Sequence, residues 1–267
     1  MPDPKNKIDQ EDAPYSRADY RRLVAWPQRI RREAPFLRKI LEQSPARVVL
    51  DLGCGSGEHC RFFSAEGFRA VGLDRSESML AKAQQEALPE TVEFKLGNIQ
   101  TVDKQVQREF GAAISLGNTL VHLMKREELE RTFFAIAQVL VTGGIFLFQI
   151  LNYERIFQKN IRYLPLNFQK TEDGERIFLR LMEVSENGMV RFCPTTLKYN
   201  PKDDPAVELL RSRIVELRGW QHNDLVPPLK KSGFRILATH GDMEGGPFEP
   251  LNSQDLVLVA RLDNSPP

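Results

Sequence analysis

The chain predicts an α/β fold: a doubly wound, seven-stranded, mostly parallel sheet carrying an antiparallel β insertion. Three observations carry that expectation. From residue 47 onward, short apolar runs alternate with helical stretches, the pattern of strands joined by right-handed crossovers. Those runs are almost continuously apolar, as strands covered on both faces must be. After residue 152 the alternation stops and strand-like runs follow one another across turns, until a helix and two last strands resume the core.

In order, residues 1–17 are polar and partly acidic with no apolar run, and read as a disordered leader rather than a signal peptide. A cytoplasmic location is therefore expected. Residues 18–46 form an Arg-rich amphipathic lid whose apolar face is Tyr20, Leu23, Trp26, Ile30, Phe36, Leu37, Ile40 and Leu41. Pro27 and Pro35 interrupt it and predict two or three helical pieces. The core over 47–151 reads as strand RVVLDLG, a helix over 58–66 stopped by Gly67, strand RAVGLD and a helix over 76–87. Strands VEFKLG and AAISLG, a helix over 125–140 and strand GIFLFQIL follow. Residues 132–153 lack charge and are long enough on paper to span a bilayer. Thr142-Gly143-Gly144 breaks that stretch, and Gln138 and Gln149 are polar, so helix, turn and buried strand is the expectation and no membrane span is predicted.

The insertion over 152–220 contains three strand-like runs, ERIFLRLMEV, GMVRFCPTTLKY and VELLRSRIVEL, expected to form an antiparallel meander with a role in acceptor binding or dimerisation. Residues 221–262 complete the core with a helix over 222–232 and strands FRILATH and DLVLVARL, leaving a tail over 263–267. The 267 residues exceed the usual single-domain size of roughly 100–150, which fits one core with an insertion. Lys+Arg 37 against Asp+Glu 36 leaves a net charge of +1, without the basic footprint of a nucleic-acid binder. The three cysteines, Cys54, Cys60 and Cys193, show no CxxC spacing, so neither a disulfide framework nor a metal site is expected.

The sharpest signal is VVLDLGCGSGEH, a strand running into Gly53, Gly55 and Gly57 and then a helix. Such a turn either merely connects two elements or lets the backbone approach a ligand and present helical N–H groups to it. Context favours the ligand. Asp51 precedes the turn, and the second strand ends in Asp74, a carboxylate placed to accept two hydrogen bonds from ribose hydroxyls. The third ends in Asn98-Ile99, suited to an adenine edge and face. The dinucleotide fingerprint needs a third small residue where this chain has Glu58, an acid that would also repel a pyrophosphate, so NAD is disfavoured.

These motifs resemble the class I S-adenosylmethionine-dependent methyltransferases, in order through most of 47–151. The resemblance implies a Rossmann-like methyltransferase fold with S-adenosylmethionine as cofactor. Its methionyl part would lie on the turn of Gly53, Gly55 and Gly57, its ribose on Asp74, and its adenine near Arg75, Met79, Asn98 and Ile99. Asn98 stands where many members have Asp. YRRLVAWPQRIRREAPFL, SLGNTLVHL and QILNYERI are similar to glycine and sarcosine N-methyltransferases. That similarity implies that Tyr20 and Trp26 cover the sulfonium region, that Arg29 meets the cofactor carboxylate, and that Leu116, Asn118 and His122 belong to the site. Those enzymes carry an Arg directly before Asn-Tyr; here Leu151 precedes Asn152-Tyr153, which disfavours a simple amino-acid acceptor.

Ligands of doubly wound sheets sit beyond the carboxyl ends of the strands, which puts Asn118, His122, Asn152 and Tyr153 around one crevice, with 241–255 as a lid or rim. The expected reaction is methyl transfer to the N or O of a small molecule by in-line displacement. His122 either accepts the acceptor's proton or is a helix-start histidine bonded to backbone or cofactor, while Tyr153 and Asn152 orient the acceptor. Two alternatives stand beside this. Eight basic residues from Arg17 to Lys39 favour methylation of RNA or protein, against which stand the charge balance and the absence of Asn-Pro-Pro-Tyr after the fourth strand. The other is a non-catalytic cofactor-binding module in which the insertion builds a homodimer.

Overall fold

A computed structural model describes residues 26–85, 88–185 and 187–263. Helix α1 (Trp26–Leu41) leads into β1 (Val48–Leu52), α2 (Glu58–Ala65), β2 (Arg69–Asp74), α3 (Glu77–Ala83) and β3 (Val92–Leu96). A 3₁₀ turn (Ile99–Lys104), β4 (Phe110–Ser115), a second 3₁₀ turn (Leu120–His122), α4 (Arg126–Val139) and β5 (Leu140–Leu151) follow. The insertion comprises α5 (Tyr153–Gln158), β6 (Tyr163–Thr171), β7 (Gly174–Val184), β8 (Met189–Tyr199), β9 (Val207–Ser212) and β10 (Val215–Arg218). Helix α6 (His222–Lys231), β11 (Phe234–His240) and β12 (Asp255–Leu262) close the core.

The main sheet has seven strands in the order β3-β2-β1-β4-β5-β12-β11. Neighbours from β3 to β5 are parallel, and β12 runs antiparallel to both β5 and β11. The fold class is the one expected. Because successive strand residues face opposite sides, Val49 and Leu50 enter different cores. One core packs α1, α2 and α3 through Leu37, Phe63 and Leu80 onto Val49, Ile114 and Leu147. The other packs α4 and α6 through Phe133, Ile136 and Leu229 onto Leu50, Phe146 and Leu258. The strands β2, β1, β4, β5 and β12 are thus covered on both faces, and the row of strand C-termini is the edge beyond which sheets of this kind take ligands.

Several elements depart from expectation. Within the described residues the N-terminal segment is one helix: Pro27 falls in the first turn, where its missing N–H breaks nothing, and Pro35 lies inside the helix. Burial of Phe36, Leu37, Ile40 and Leu41 offsets the bond lost at Pro35. Helix α3 stops at Ala83, short of the span over 76–87. The expected turn at Thr142-Gly143-Gly144 is instead a bulge inside β5: Gly143 has φ 79°, and the register against β4 slips between Phe110–Leu140 and Ala112–Ile145. The insertion has five strands rather than three. β6 escaped notice because Pro165 interrupts its alternation, which the sheet tolerates because β6 is an edge strand and shifts register between Leu164 and Asn167. The third run divides at Arg213-Ile214 into β9 and β10, which pair with different parts of β8. Among the described residues no helix is long and apolar enough to cross a membrane.

Candidate functional site

The glycine turn joins β1 to α2 at the centre of the strand edge. Gly53, Gly55 and Gly57 all have positive φ, at 78°, 55° and 81°. A side chain at Gly53 would strike Thr119 and one at Gly57 would strike the Phe94 ring, so those two glycines are dictated by packing. At Gly55 a Cβ would meet only Met79 Cε at 3.3 Å, so Gly55 is the point where the backbone is open to a ligand. Asp74 faces this turn: Oδ2 accepts the Gly55 N–H at 2.7 Å and Oδ1 the Ser76 N–H at 2.9 Å. Each carboxylate oxygen has two acceptor positions, so the arrangement orients Asp74 and leaves capacity for a ligand's hydroxyls. Asp51 lies buried beneath the turn, with the Cys60 thiol donating to Oδ2 at 3.5 Å. Burial pushes its pKa up to about 6, against the opposing charge of His59 and the thiol contact.

Along the strand edge, Arg75 is exposed, while Met79 is buried next to Gly55. Asn98 is exposed and caps the first 3₁₀ turn: its Oδ1 accepts the Gln100 N–H at 2.9 Å, and its carbonyl accepts from Gln105 Nε2 at 2.8 Å. Ile99 is half-buried against the core. Leu116 is buried, its carbonyl accepting the Thr119 hydroxyl at 2.9 Å.

Helix α1 is fastened to α2 by a buried polar contact that the sequence reading missed. Glu33, 2% exposed, accepts from Arg29 Nε at 2.7 Å and pairs with His59 Nε2 at 2.8 Å. Burial alone would raise the Glu33 pKa; the His59 hydrogen bond and the Arg29 charge hold it below the ordinary value. The Arg29 guanidinium also lies 4.8 Å from the centre of the Trp26 ring, which meets His59 edge-on. Arg29 therefore already holds one carboxylate. An acid on the apolar face of α1 was the available signal for Glu33. Tyr20 lies outside the described residues.

Between the ends of β4 and β5 and the insertion sheet is a cavity of about 1300 Å³, lined among others by Arg29, Asn118, His122, Gln149, Leu151 and Asp255. Asn118 has φ 70° and is held on two sides: Oδ1 accepts the Leu151 N–H at 3.0 Å, and Nδ2 donates to the Tyr153 hydroxyl at 2.9 Å. Gln149 bridges the Gly117 N–H at 2.8 Å and Asp255 Oδ1 at 2.9 Å, the reason for one amide in an otherwise apolar buried strand. His122 lines the cavity half-buried, its pKa lowered to about 4 by burial and by the charges of Arg75 and Arg213. It is a neutral imidazole at physiological pH and a weak base.

Asn152 and Tyr153 stand behind the cavity wall, and neither is among the residues lining it. Asn152 is buried, caps α5 by accepting the Arg155 N–H at 3.2 Å, and donates to the Pro250 and Ser253 carbonyls, each at 2.9 Å. Its hydrogen-bonding capacity is spent on joining β5 to the loop over 241–254. The Tyr153 hydroxyl serves Asn118, and burial pushes its pKa well up, so it stays protonated. Loop 241–254 contributes Met243 and Gln254 to the cavity wall, and Asp242 braces it by accepting the Glu244 and Gly246 N–H groups. Of the cations that follow Leu151 in sequence, Arg155 lines the cavity, whereas Lys159 Nζ donates to Asn252 Oδ1 at 3.3 Å and Arg162 Nε donates to the Met182 carbonyl.

Comparison with known proteins fits this geometry. Residues 49–144 match a family described as a methyltransferase domain. A glycine/sarcosine N-methyltransferase of Parasynechococcus marenigrum (strain WH8102) is 31% identical over 139 residues, 51% of this chain and 49% of the relative. The match thus spans about half of that relative's length. A second glycine/sarcosine N-methyltransferase, from Aphanothece halophytica, is 27% identical over 224 residues, 83% of this chain and 79% of the relative. Among solved structures, S-adenosylmethionine-bound CalS10, an amino pentose methyltransferase from Micromonospora echinaspora, superposes with TM-score 0.70 at 20% identity. That likeness covers 95% of this chain and 96% of the other and concerns the fold.

Proposed function

From the premise that the chain carries a class I S-adenosylmethionine-dependent methyltransferase domain, we propose that it transfers the cofactor's methyl group to the nitrogen or oxygen of a small-molecule acceptor. The observation that carries this reading is the adjacency of two sites on one strand edge. The turn open at Gly55 faces Asp74, and the open cavity sits beyond β4 and β5. The glycine/sarcosine relatives and the amino pentose enzyme support a small acceptor, since each is named for one.

Gly53 and Gly57 let the turn pack tightly so that Gly55 brings the backbone to the methionyl part, Asp74 takes the ribose hydroxyls, and Met79, Ile99 and Asn98 border the adenine with Arg75 outside. Asp51 and Leu116 support the turn from behind, and Trp26 and Arg29 on α1 cover it. Bound S-adenosylmethionine supplies an already activated methyl group, so the protein's task is to align an acceptor lone pair and exclude water. His122, neutral beside the cavity, accepts a hydrogen bond from the acceptor's N–H or O–H and thereby directs its lone pair. With a conjugate-acid pKa of about 4 it orients more than it stores a proton. Asn118, fixed by Leu151 and Tyr153, shapes the same wall, making Tyr153 and Asn152 positioning residues.

Two measurements test this. S-adenosylmethionine should bind by calorimetry at least tenfold more tightly than NAD, because Glu58 stands where the dinucleotide turn needs a small residue. Methyl-labelled cofactor should be turned over slowly with glycine or sarcosine and faster with larger amines or alcohols, since the cavity exceeds what an amino acid fills. Equal affinity for NAD, or best turnover with glycine, contradicts the reading.

A further inference from the structure

The last strand of the core brings a carboxylate to the cavity. Asp255 opens β12 directly opposite Leu151 at the end of β5, and it lines the cavity together with Asn118, His122 and Gln149. By the period of two its side chain falls on the face where Val257 and Val259 pack, the face that α1 covers. Oδ1 accepts the Gln149 amide at 2.9 Å, and Gln149 accepts the Gly117 N–H at 2.8 Å, so the carboxylate is tied through β5 to the end of β4. Among the described residues Oδ2 has no hydrogen-bond partner, and it is not sealed in the interior. The charges that act on Asp255 stand on α1: Arg29 and Arg32 favour its anion and Glu33 opposes it. Arg29 is bonded to Glu33 at 2.7 Å, and Arg32 lies 3.7 Å from Glu244. Burial raises the Asp255 pKa against these cations and the Gln149 bond, the direction expected of a carboxylate with no cation at hydrogen-bond distance.

We infer that Asp255 binds the acceptor as an amine: Oδ2 accepts an N–H of the nitrogen that is methylated, and the site takes amines that carry no carboxylate beside that nitrogen. The inference rests on reading the cavity as the acceptor chamber and narrows its choice of nitrogen or oxygen to nitrogen. An amine that arrives protonated first loses one proton to water. Its lone pair then forms the N–C bond as the C–S bond breaks and leaves its electron pair on sulfur, and the resulting ammonium later sheds a proton to water. Positive charge thus grows on the nitrogen, where Asp255 stabilises it while its hold on one N–H fixes the direction of the lone pair. A hydroxyl must give up its proton to react, and a carboxylate is far too weak a base to take it. The same anion repels an acceptor carboxylate, for which Leu151 across the strand pair supplies no cation.

The test titrates the whole protein, with and without saturating S-adenosylhomocysteine, with benzylamine, cyclohexylamine and D-glucosamine and with benzyl alcohol, cyclohexanol and D-glucose. It is repeated for Asp255→Asn, which keeps an oxygen for the Gln149 amide. At least one amine should bind the wild type at least tenfold more tightly than its hydroxyl counterpart, and Asp255→Asn should erase that preference. Raised sodium chloride should weaken the amine alone. S-adenosylhomocysteine affinity should change by less than twofold, which also reports that the variant is folded. With methyl-labelled S-adenosylmethionine, an amine that binds should take the label on nitrogen. No preference for any amine, a preference that persists in Asp255→Asn, or label that reaches a hydroxyl compound or none of the amines that bind overturns the inference. Failure of the wild type to bind S-adenosylhomocysteine contradicts the methyltransferase reading instead, and the titrations without it still decide whether Asp255 holds an amine.

Discussion

At the scale of single residues, the proposed roles of Asp74 in holding the cofactor and His122 in orienting the acceptor each have a measurable consequence. Asp74 is aimed by two backbone N–H groups and sits across from the most open glycine of the turn. Charge-assisted hydrogen bonds to a ribose are worth about 1.5–3 kcal/mol each, so Asp74→Ala should weaken S-adenosylmethionine at least tenfold by calorimetry. Unchanged affinity would remove the ribose assignment. His122 titrates at about 4 in the folded chain against an ordinary value of 6.5. As pH falls from about 6.5 toward about 4 the unfolded chain takes up this proton first, so the group lowers stability across that window and leaves it unchanged above pH 7. His122→Asn should flatten the fall in Tm between pH 6.5 and 4. The wild-type kcat/KM profile should show no inflection near 6.5 that the variant loses; such an inflection would mean that His122 is a working base.

At the scale of elements, two joints hold the site together. The first is α1 on α2 through Glu33. Removing one partner of a buried, hydrogen-bonded ion pair costs about 3–5 kcal/mol, which for a chain of this size lowers Tm by roughly 6–20 °C. Glu33→Ala should do this and, on the proposed reading, weaken the cofactor as well, because the contact braces α2, the helix that follows the turn; a shift under 2 °C would show that the contact contributes little. The second is the glycine turn. Gly57→Ala adds a Phe94 clash to the strain of a positive φ, which alone costs about 1–2 kcal/mol. Thermal melts should therefore rank Gly57→Ala below Gly55→Ala, while Gly55→Ala should impair binding more than melting. The reverse order would mean that Gly55 serves packing rather than approach.

What was legible at this scale follows from burial. β1, β2, β4 and β5 are largely buried, so they had to be written as apolar runs, and glycines had to fill the turn after β1, where φ is positive and Thr119 and Phe94 crowd the backbone. The insertion is half-exposed and therefore nearly silent: Pro165 masked β6, and nothing in VELLRSRIVEL announces a break at Arg213. The arginines lining the cavity were invisible because alternation assigns a face but not a partner, and only the fold brings residues of β7 and β9 to the cavity that His122 lines. Asn152 and Tyr153 were placed at the crevice because they follow the carboxyl end of the fifth strand. Their place in the sequence says nothing of Pro250, Ser253 or Asn118, the groups that occupy them.

At the scale of the whole molecule, a near-neutral chain forms an open cavity lined by both arginines and apolar side chains, and the charge balance that argues against a nucleic-acid surface is compatible with such a pocket. The central claim is that this chamber receives small acceptors for a methyl group delivered from the strand edge. The direct measurement incubates the purified protein with methyl-labelled S-adenosylmethionine and a cell extract separated into low-mass and macromolecular fractions, and follows the label. Label should appear in low-mass product with wild type and fall at least tenfold with Asp74→Ala at limiting cofactor. Label recovered only in RNA or protein, or left wholly on the cofactor, would contradict the account.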